Sequence, residues 1–263
     1  NVTGVQTCAL PISQEMRFPV GDVGGGGGRG GGGGPTISGN NRWVAFNVNG
    51  PANAGGRGGR GGRGGAAAPA ATPAKLALVD LTNGSKREFE SVRAFRFAGD
   101  KSNWLAIHHS VPNAPAAAGA APGGGRGGAG GGGAVPASVL ELLDLTSSAT
   151  PMQIANVSEF AFSDKGDWIA YAISAPDQVG NSIQLRELSS GVTRTIDAAK
   201  ASYRRVIWGD STTALAALRV VSDTAGGDDQ AAILVWKDAT AATARPMEVN
   251  AKSAGITGGL VVS

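Results

Sequence analysis

Three copies of one short pattern constrain this chain more than any other feature: Trp43-Val-Ala-Phe46, Trp104-Leu-Ala-Ile107 and Trp168-Ile-Ala-Tyr171. A polar turn precedes each, at Ser38–Arg42, Ala98–Asn103 and Ser163–Asp167. Before two of these turns, Phe95-Arg-Phe97 and Phe160-Ala-Phe162 alternate as half-buried strands do. A fourth, degenerate copy runs through Val206-Ile-Trp208, the turn Gly209–Thr212 and Ala214–Leu218, without the second-strand tryptophan. Each copy continues into a third strand, at Leu76–Leu81, Leu140–Leu145, Ile183–Leu188 and Ile233–Trp236. Short fourth strands follow at Lys86–Phe89, Met152–Ile154, Val192–Ile196 and Met247–Val249.

The spacing between copies decides what the repeat means. Ile37, Phe97, Phe162 and Trp208 close the first strands, at separations of 60, 65 and 46 residues. The irregularity lies in the connection between second and third strands, which spans residues 49–74, 110–138 and 174–181. Trimming the two long connections to the eight residues of the short one brings the separations to 42, 44 and 46. A period near 40–45 with four strands per unit is that of a β-propeller blade. A β-sandwich would not need a recurring Trp-x-Ala strand. The expected fold is therefore all-β, a propeller of four-stranded antiparallel blades at about 35–90, 91–156, 157–200 and 201–250. Met16–Val20 reads as a preceding outer strand and Gly259–Ser263 as the approach to another blade, so an incomplete propeller of four blades and parts of two is expected over 13–263.

Composition accounts for the long connections. Windows 24–34, 55–65 and 123–133 hold 27 of the 43 glycines, and the remainder of the chain has the ordinary globular share. Three low-complexity tracts thus interrupt an otherwise ordinary domain. Antiparallel strands send alternate connections to opposite ends of a blade. Second-to-third and blade-to-blade connections share an end, so all three tracts are expected on one face. The net charge of +3 includes the tract residues Arg29, Arg57, Arg60, Arg63 and Arg126, and the fold without them is slightly acidic. That balance gives no reason to expect nucleic acid or an acidic membrane as a partner. No apolar run reaches the 18 residues of a membrane span. Residues 2–12 resemble a translated sequencing-adapter read, which would make segment 1–12, with the single Cys8, foreign to the fold.

The best-kept copy, Phe162-Ser-Asp-Lys-Gly-Asp-Trp-Ile-Ala-Tyr171, resembles the propeller repeats of TolB-like proteins. It is similar also to the N-terminal propeller of the prolyl oligopeptidase family of serine peptidases, and the resemblance spans roughly residues 14–263. The Ser-Pro-Asp-Gly turn common in both groups is intact in no copy. The Gly/Arg tracts look like those of large secreted peptidases of that family. The resemblance implies a propeller that gates and positions peptide substrates for a following α/β-hydrolase domain, in a periplasmic or secreted protein. The alternative it leaves open is a TolB-like propeller that binds protein partners in the periplasm and has no enzymatic activity.

No catalytic, cofactor-binding or metal-binding residue is assigned. The chain has no Gly-x-Ser-x-Gly elbow, and its only histidines are His108 and His109. Neighbouring strand residues point to opposite faces, so these two are not expected to chelate one ion. Arg57, Arg60 and Arg63 imitate an RNA-binding run but lack interleaved aromatics, and read as a solvated insertion. The Gly-x-Gly-x-x-Gly matches in 24–34 are trivial in poly-glycine and precede no helix. Asp100, Asp164, Asp167 and Asp210 read as turn formers on separate blades, not a calcium site. Trp43, Trp104 and Trp168 read as core between sheets. Asn83-Gly-Ser85 and Asn156-Val-Ser158 match glycosylation acceptors by a pattern common by chance.

Overall fold

The turn that precedes each tryptophan strand is built by its own side chains. Ser38 Oγ accepts from the Trp43 backbone N–H at 2.9 Å, and Ser163 Oγ from that of Trp168 at 3.1 Å. The backbone N–H of each serine closes the same loop onto the tryptophan carbonyl at 2.9 Å. Two residues before each tryptophan, Asn41 (φ 56°) and Gly166 (φ 70°) take the left-handed conformation that turns the chain back on itself. In the fourth copy Gly209 N–H closes onto Ala214, which therefore stands in the tryptophan's place.

A computed structural model describes residues 35–48, 75–100, 102–110, 138–222, 229–250 and 253. The expected outer strand 16–20, the tracts 24–34, 55–65 and 123–133, Cys8 and segment 259–263 lie outside the described residues. All described regular structure is β. The first sheet joins β1 (Thr36–Ile37), β2 (Trp43–Val48), β3 (Lys75–Asp80) and β4 (Lys86–Phe89) in that order. The middle sheet runs β5 (Val92–Phe97), β6 (Trp104–His109), β7 (Ser138–Asp144), β8 (Met152–Phe162), β9 (Trp168–Ile173), β10 (Ser182–Glu187) and β11 (Thr193–Ala198). The last joins β12 (Ser202–Trp208), β13 (Leu215–Val221), β14 (Gln230–Trp236) and β15 (Met247–Asn250). Every neighbouring pair is antiparallel.

The seven-stranded sheet is two blades sharing one strand. The first half of β8 pairs with β7 and the second half with β9, and Val157 is partnered by both Ser138 and Ile173. Separate outer and inner strands were expected here, at 152–154 and 160–162. The junction Ala155-Asn156-Val157 holds neither Gly nor Pro, and Asn156 passes through it at φ 59°. The equivalent Ser91, at φ 55°, separates β4 from β5.

Blade packs on blade through three apolar seams. Trp43, Ala45, Leu76 and Leu78 of the first blade meet Val92, Leu105, Ile107 and Leu143 of the second. Ala106, Leu140 and Leu142 meet Val157, Ile169 and Tyr171. Ala170, Ala172, Ile183 and Leu185 meet Tyr203, Trp208, Leu234 and Trp236. Middle strands of the second and third blades are thus covered on both faces, which is why they read as near-continuous apolar runs. Trp43 and Trp104 belong to the first two seams and Trp168 packs against the third, each toward the following blade.

Beyond the fourth blade the arc is open among the described residues. The row Ile207–Ala216–Val235–Met247 crosses all four strands of the last sheet in register. It is wholly apolar and faces away from the third blade, with Ile207 59% and Met247 52% exposed.

Candidate functional site

Two ends of the arc differ in chemistry. At one end lie the roots of the long insertions. Ser110 N–H bonds to Ser91 O at 2.6 Å and Ser174 N–H to Asn156 O at 2.7 Å. These bonds tie the base of the second-to-third connection in the second and third blades to a blade junction, and in the first blade Lys75, just after the insertion, pairs with Glu90 at the next junction. The roots of insertions 49–74 and 110–138 therefore share the junction end, as topology requires.

Polar groups concentrate at this end. His109 Nε2 lies 2.8 Å from Glu141 Oε2, and its Nδ1 lies 3.1 Å from Glu90 O. Glu90 also pairs with Lys75 at 2.6 Å. Both nitrogens of His109 thus lie within hydrogen-bond distance of an oxygen. Ser138 Oγ donates to the His109 carbonyl, not to its ring. Serine, histidine and glutamate are thus close together without a hydroxyl–imidazole hydrogen bond, and the set fastens a loop root instead of activating a nucleophile.

His108 points the other way, into the second seam. It is 3% exposed, its Nε2 lies 2.9 Å from Val157 O, and Phe160 stands edge-on to it at 6.0 Å. The two histidines do not share a site, as strand alternation requires. Burial pushes the His108 pKa down, against the Val157 carbonyl, which favours the charged ring; Arg93 and His109 lower it slightly further. The folded state therefore prefers the neutral ring, while the unfolded chain takes a proton near pH 6.5, about its ordinary value. Stability is complete above that pH and falls as pH drops through it. Thermal melts at pH 7 and pH 5 should show this loss, and His108→Gln, which keeps an N–H donor, should shrink it. An unchanged pH slope in the variant would assign the acid sensitivity elsewhere.

A second polar cluster bridges the third and fourth blades. The Tyr203 hydroxyl donates to Asp197 at 2.5 Å, Arg219 lies 3.5 Å from the same carboxylate, and Arg219 reaches Glu248 at 2.5 Å. Burial, then the Asp197 carboxylate, pushes the Tyr203 phenol well up, so it stays a protonated donor. The cluster is an inter-blade clamp with no open position.

At the opposite end the first-to-second turns of successive blades lie on one another. Gly39 N–H bonds to Ser102 Oγ at 2.7 Å, and Asp164 accepts from Ser211 N–H. At Gly99 (φ 45°) an added Cβ would stand 2.2 Å from Asp164 O, and at Gly166 one would stand 2.6 Å from Ala98 O. Asp100, Asp164 and Asp210 are exposed on these turns. No group of three or more potential metal ligands forms among the described residues. Asn83 and Asn156 are exposed at a turn and a junction. Arg57, Arg60 and Arg63 lie outside the described residues.

The contacting turns identify the inner edge of the arc. Val206 N–H to Glu159 at 3.3 Å and Trp208 Nε1–H to Ala161 O at 3.0 Å join β12 to β8 along the same edge. β1, β5, the second half of β8 and β12 are therefore the converging strands. Arg93 and Arg96 lie on one of these strands, β5, and Arg204 and Arg205 on another, β12. Sequence reading missed this grouping, because only the sheet order brings the two strands to one edge. No described helix is long and apolar enough to cross a membrane.

Four-stranded antiparallel blades, packed face to face with converging first strands, define an open arc of β-propeller. No protein-family model matches the sequence, and no curated protein matches it. Similar solved structures include the Kuenenia stuttgartiensis hydrazine synthase (9% identity, 82% of this chain and 53% of that one, TM-score 0.46). The β-propeller domain of the trilobed protease from Pyrococcus furiosus gives 12% identity over 81% of this chain and 55% of that one, TM-score 0.43. TolB from Acinetobacter baumannii gives 8% identity over 77% of this chain and 40% of that one, TM-score 0.35. The chain spans little more than half the length of even the longest-matched of these three.

Proposed function

We propose that this arc is the non-catalytic propeller portion of a prolyl-oligopeptidase-like serine peptidase, restricting access to a hydrolase domain and positioning peptide substrates. The observation that carries the reading is the repeat at Phe162–Tyr171 and the role of its residues: serine closes the turn, glycine turns the chain, and tryptophan fills the seam. Both described histidines serve the fold, and the reading assigns the nucleophile and its base to another domain of the parent. A serine-directed fluorophosphonate probe tests this. Labelling is expected in the extended parent, at a serine outside these 263 residues, and not in this chain alone. Labelling of the chain itself would overturn the division of labour. A folded, extended parent that stays unlabelled would support the TolB-like, protein-binding alternative.

A further inference from the structure

The inner edge of the arc carries a charge pattern that packing does not explain. Its converging strands hold three exposed arginines, Arg93, Arg96 and Arg205, against one acid, Glu159. Arg93, Arg96 and Arg205 are exposed, and none makes a hydrogen bond or ion pair with a described residue. Glu159 is already engaged with the Val206 N–H across the seam. The surplus is therefore positive along the strands. The acidic turn residues Asp100, Asp164 and Asp210 follow at one end only. Charges of one sign gathered on converging low-dielectric walls concentrate their field and draw in an opposite charge.

We infer that this edge is an interaction surface for an acidic peptide segment, held in the arc by Arg93, Arg96 and Arg205. Guanidinium forks pair with carboxylates in two-point geometry, which suits side-chain and terminal carboxylates alike. β5 and β12 end their sheets, so each also offers an unpaired backbone edge to an extended chain. The aromatic residues on these strands favour a peptide over a nucleic acid. Phe95, Phe97, Phe160 and Phe162 pack against the seams and do not form an open stacking platform. The inference concerns binding alone and stands whether or not a hydrolase domain accompanies the chain.

Fluorescence anisotropy with the full chain tests it, using a labelled peptide of alternating Glu and Gly and the same peptide with Gln for Glu. The acidic peptide should bind at least about tenfold more tightly at low ionic strength, and the advantage should shrink as salt rises. The set Arg93→Gln, Arg96→Gln and Arg205→Asn should abolish that advantage, the last residue being Asn because position 205 sits at φ 54°. Lysine at all three positions should keep it, so the charge is tested even where the neutral set perturbs folding. Neutralising Arg57, Arg60, Arg63 and Arg126 should leave it intact. Equal affinity for the two peptides would overturn the inference, as would loss of binding on neutralising the tract arginines. Tighter binding of single-stranded RNA through the same three arginines would overturn it in favour of a nucleic-acid surface.

Discussion

Replacing Gly99 by alanine is expected to destabilise the arc by about 3 kcal/mol or more, combining a left-handed backbone cost of ~1–2 kcal/mol with overpacking of ~1–3 kcal/mol. The reason lies in the atoms a methyl group would meet. At φ 45° its Cβ would stand 2.2 Å from Asp164 O and 2.5 Å from Gly166 N, both backbone atoms of the following blade's turn. Backbone cannot rotate aside as a side chain does, so the two turns must separate. Whole-domain stability is only about 5–15 kcal/mol, so the loss should be plain in urea unfolding. Gly180→Ala is the matched control. That residue also has positive φ, at 82°, but nothing lies within 4 Å of its added Cβ. It should cost only the conformational part, ~1–2 kcal/mol. Equal losses in the two variants would show that the contacting turns do not hold the blades.

Trp236→Ala should have a comparable effect by another route, costing about 3–5 kcal/mol as large buried aromatic truncations do. Trp236 is fully buried in the seam between the third and fourth blades, among Leu185, Tyr203, Trp208 and Leu234. Its removal takes apolar contact from both sheets at once and leaves a cavity that fixed strands cannot close. Trp236→Phe should recover much of the loss. The Trp236 Nε1–H is buried without a hydrogen-bond partner, so phenylalanine removes a desolvated donor along with some volume. The two unfolding midpoints measure this. An alanine variant within about 1 kcal/mol of the parent would mean that this seam contributes little.

Much of the architecture was legible because it is carried by local patterns. A serine that closes a turn and a tryptophan that begins a strand recur at recognisable positions, and trimming the insertions exposes the period. The turn contacts were not legible. Gly39, Gly99 and Gly166 look like ordinary turn glycines, and only the neighbouring blade reveals that two of them need the absence of a Cβ as much as their φ. The fused strand β8 was hidden for the opposite reason. Nothing in Ala155-Asn156-Val157 distinguishes a bent, continuous ladder from a break, since Asn can take positive φ in either. The candidate surface was illegible because arginines at strand positions read as ordinary outward residues. Their grouping depends on which strands converge, and that is settled by contacts such as Trp208 with Ala161, forty-seven residues apart.

The shared strand β8 also sets how force would travel through the arc. Between the second and third blades, a pull along the chain runs down one uninterrupted strand, hydrogen-bonded to β7 in its first half and to β9 in its second. That segment resists in shear, with many bonds loaded together. At the other two boundaries the chain leaves one sheet before entering the next, at Glu90–Ser91 and at Ala199–Ala201. There the described links between blades are side-chain and turn contacts, among them Gly39 with Ser102 at the first and Tyr203 with Asp197 and Trp208 with Ala161 at the second. The middle pair of blades is thus joined through shared backbone, and its neighbours are joined to it through side chains and turns.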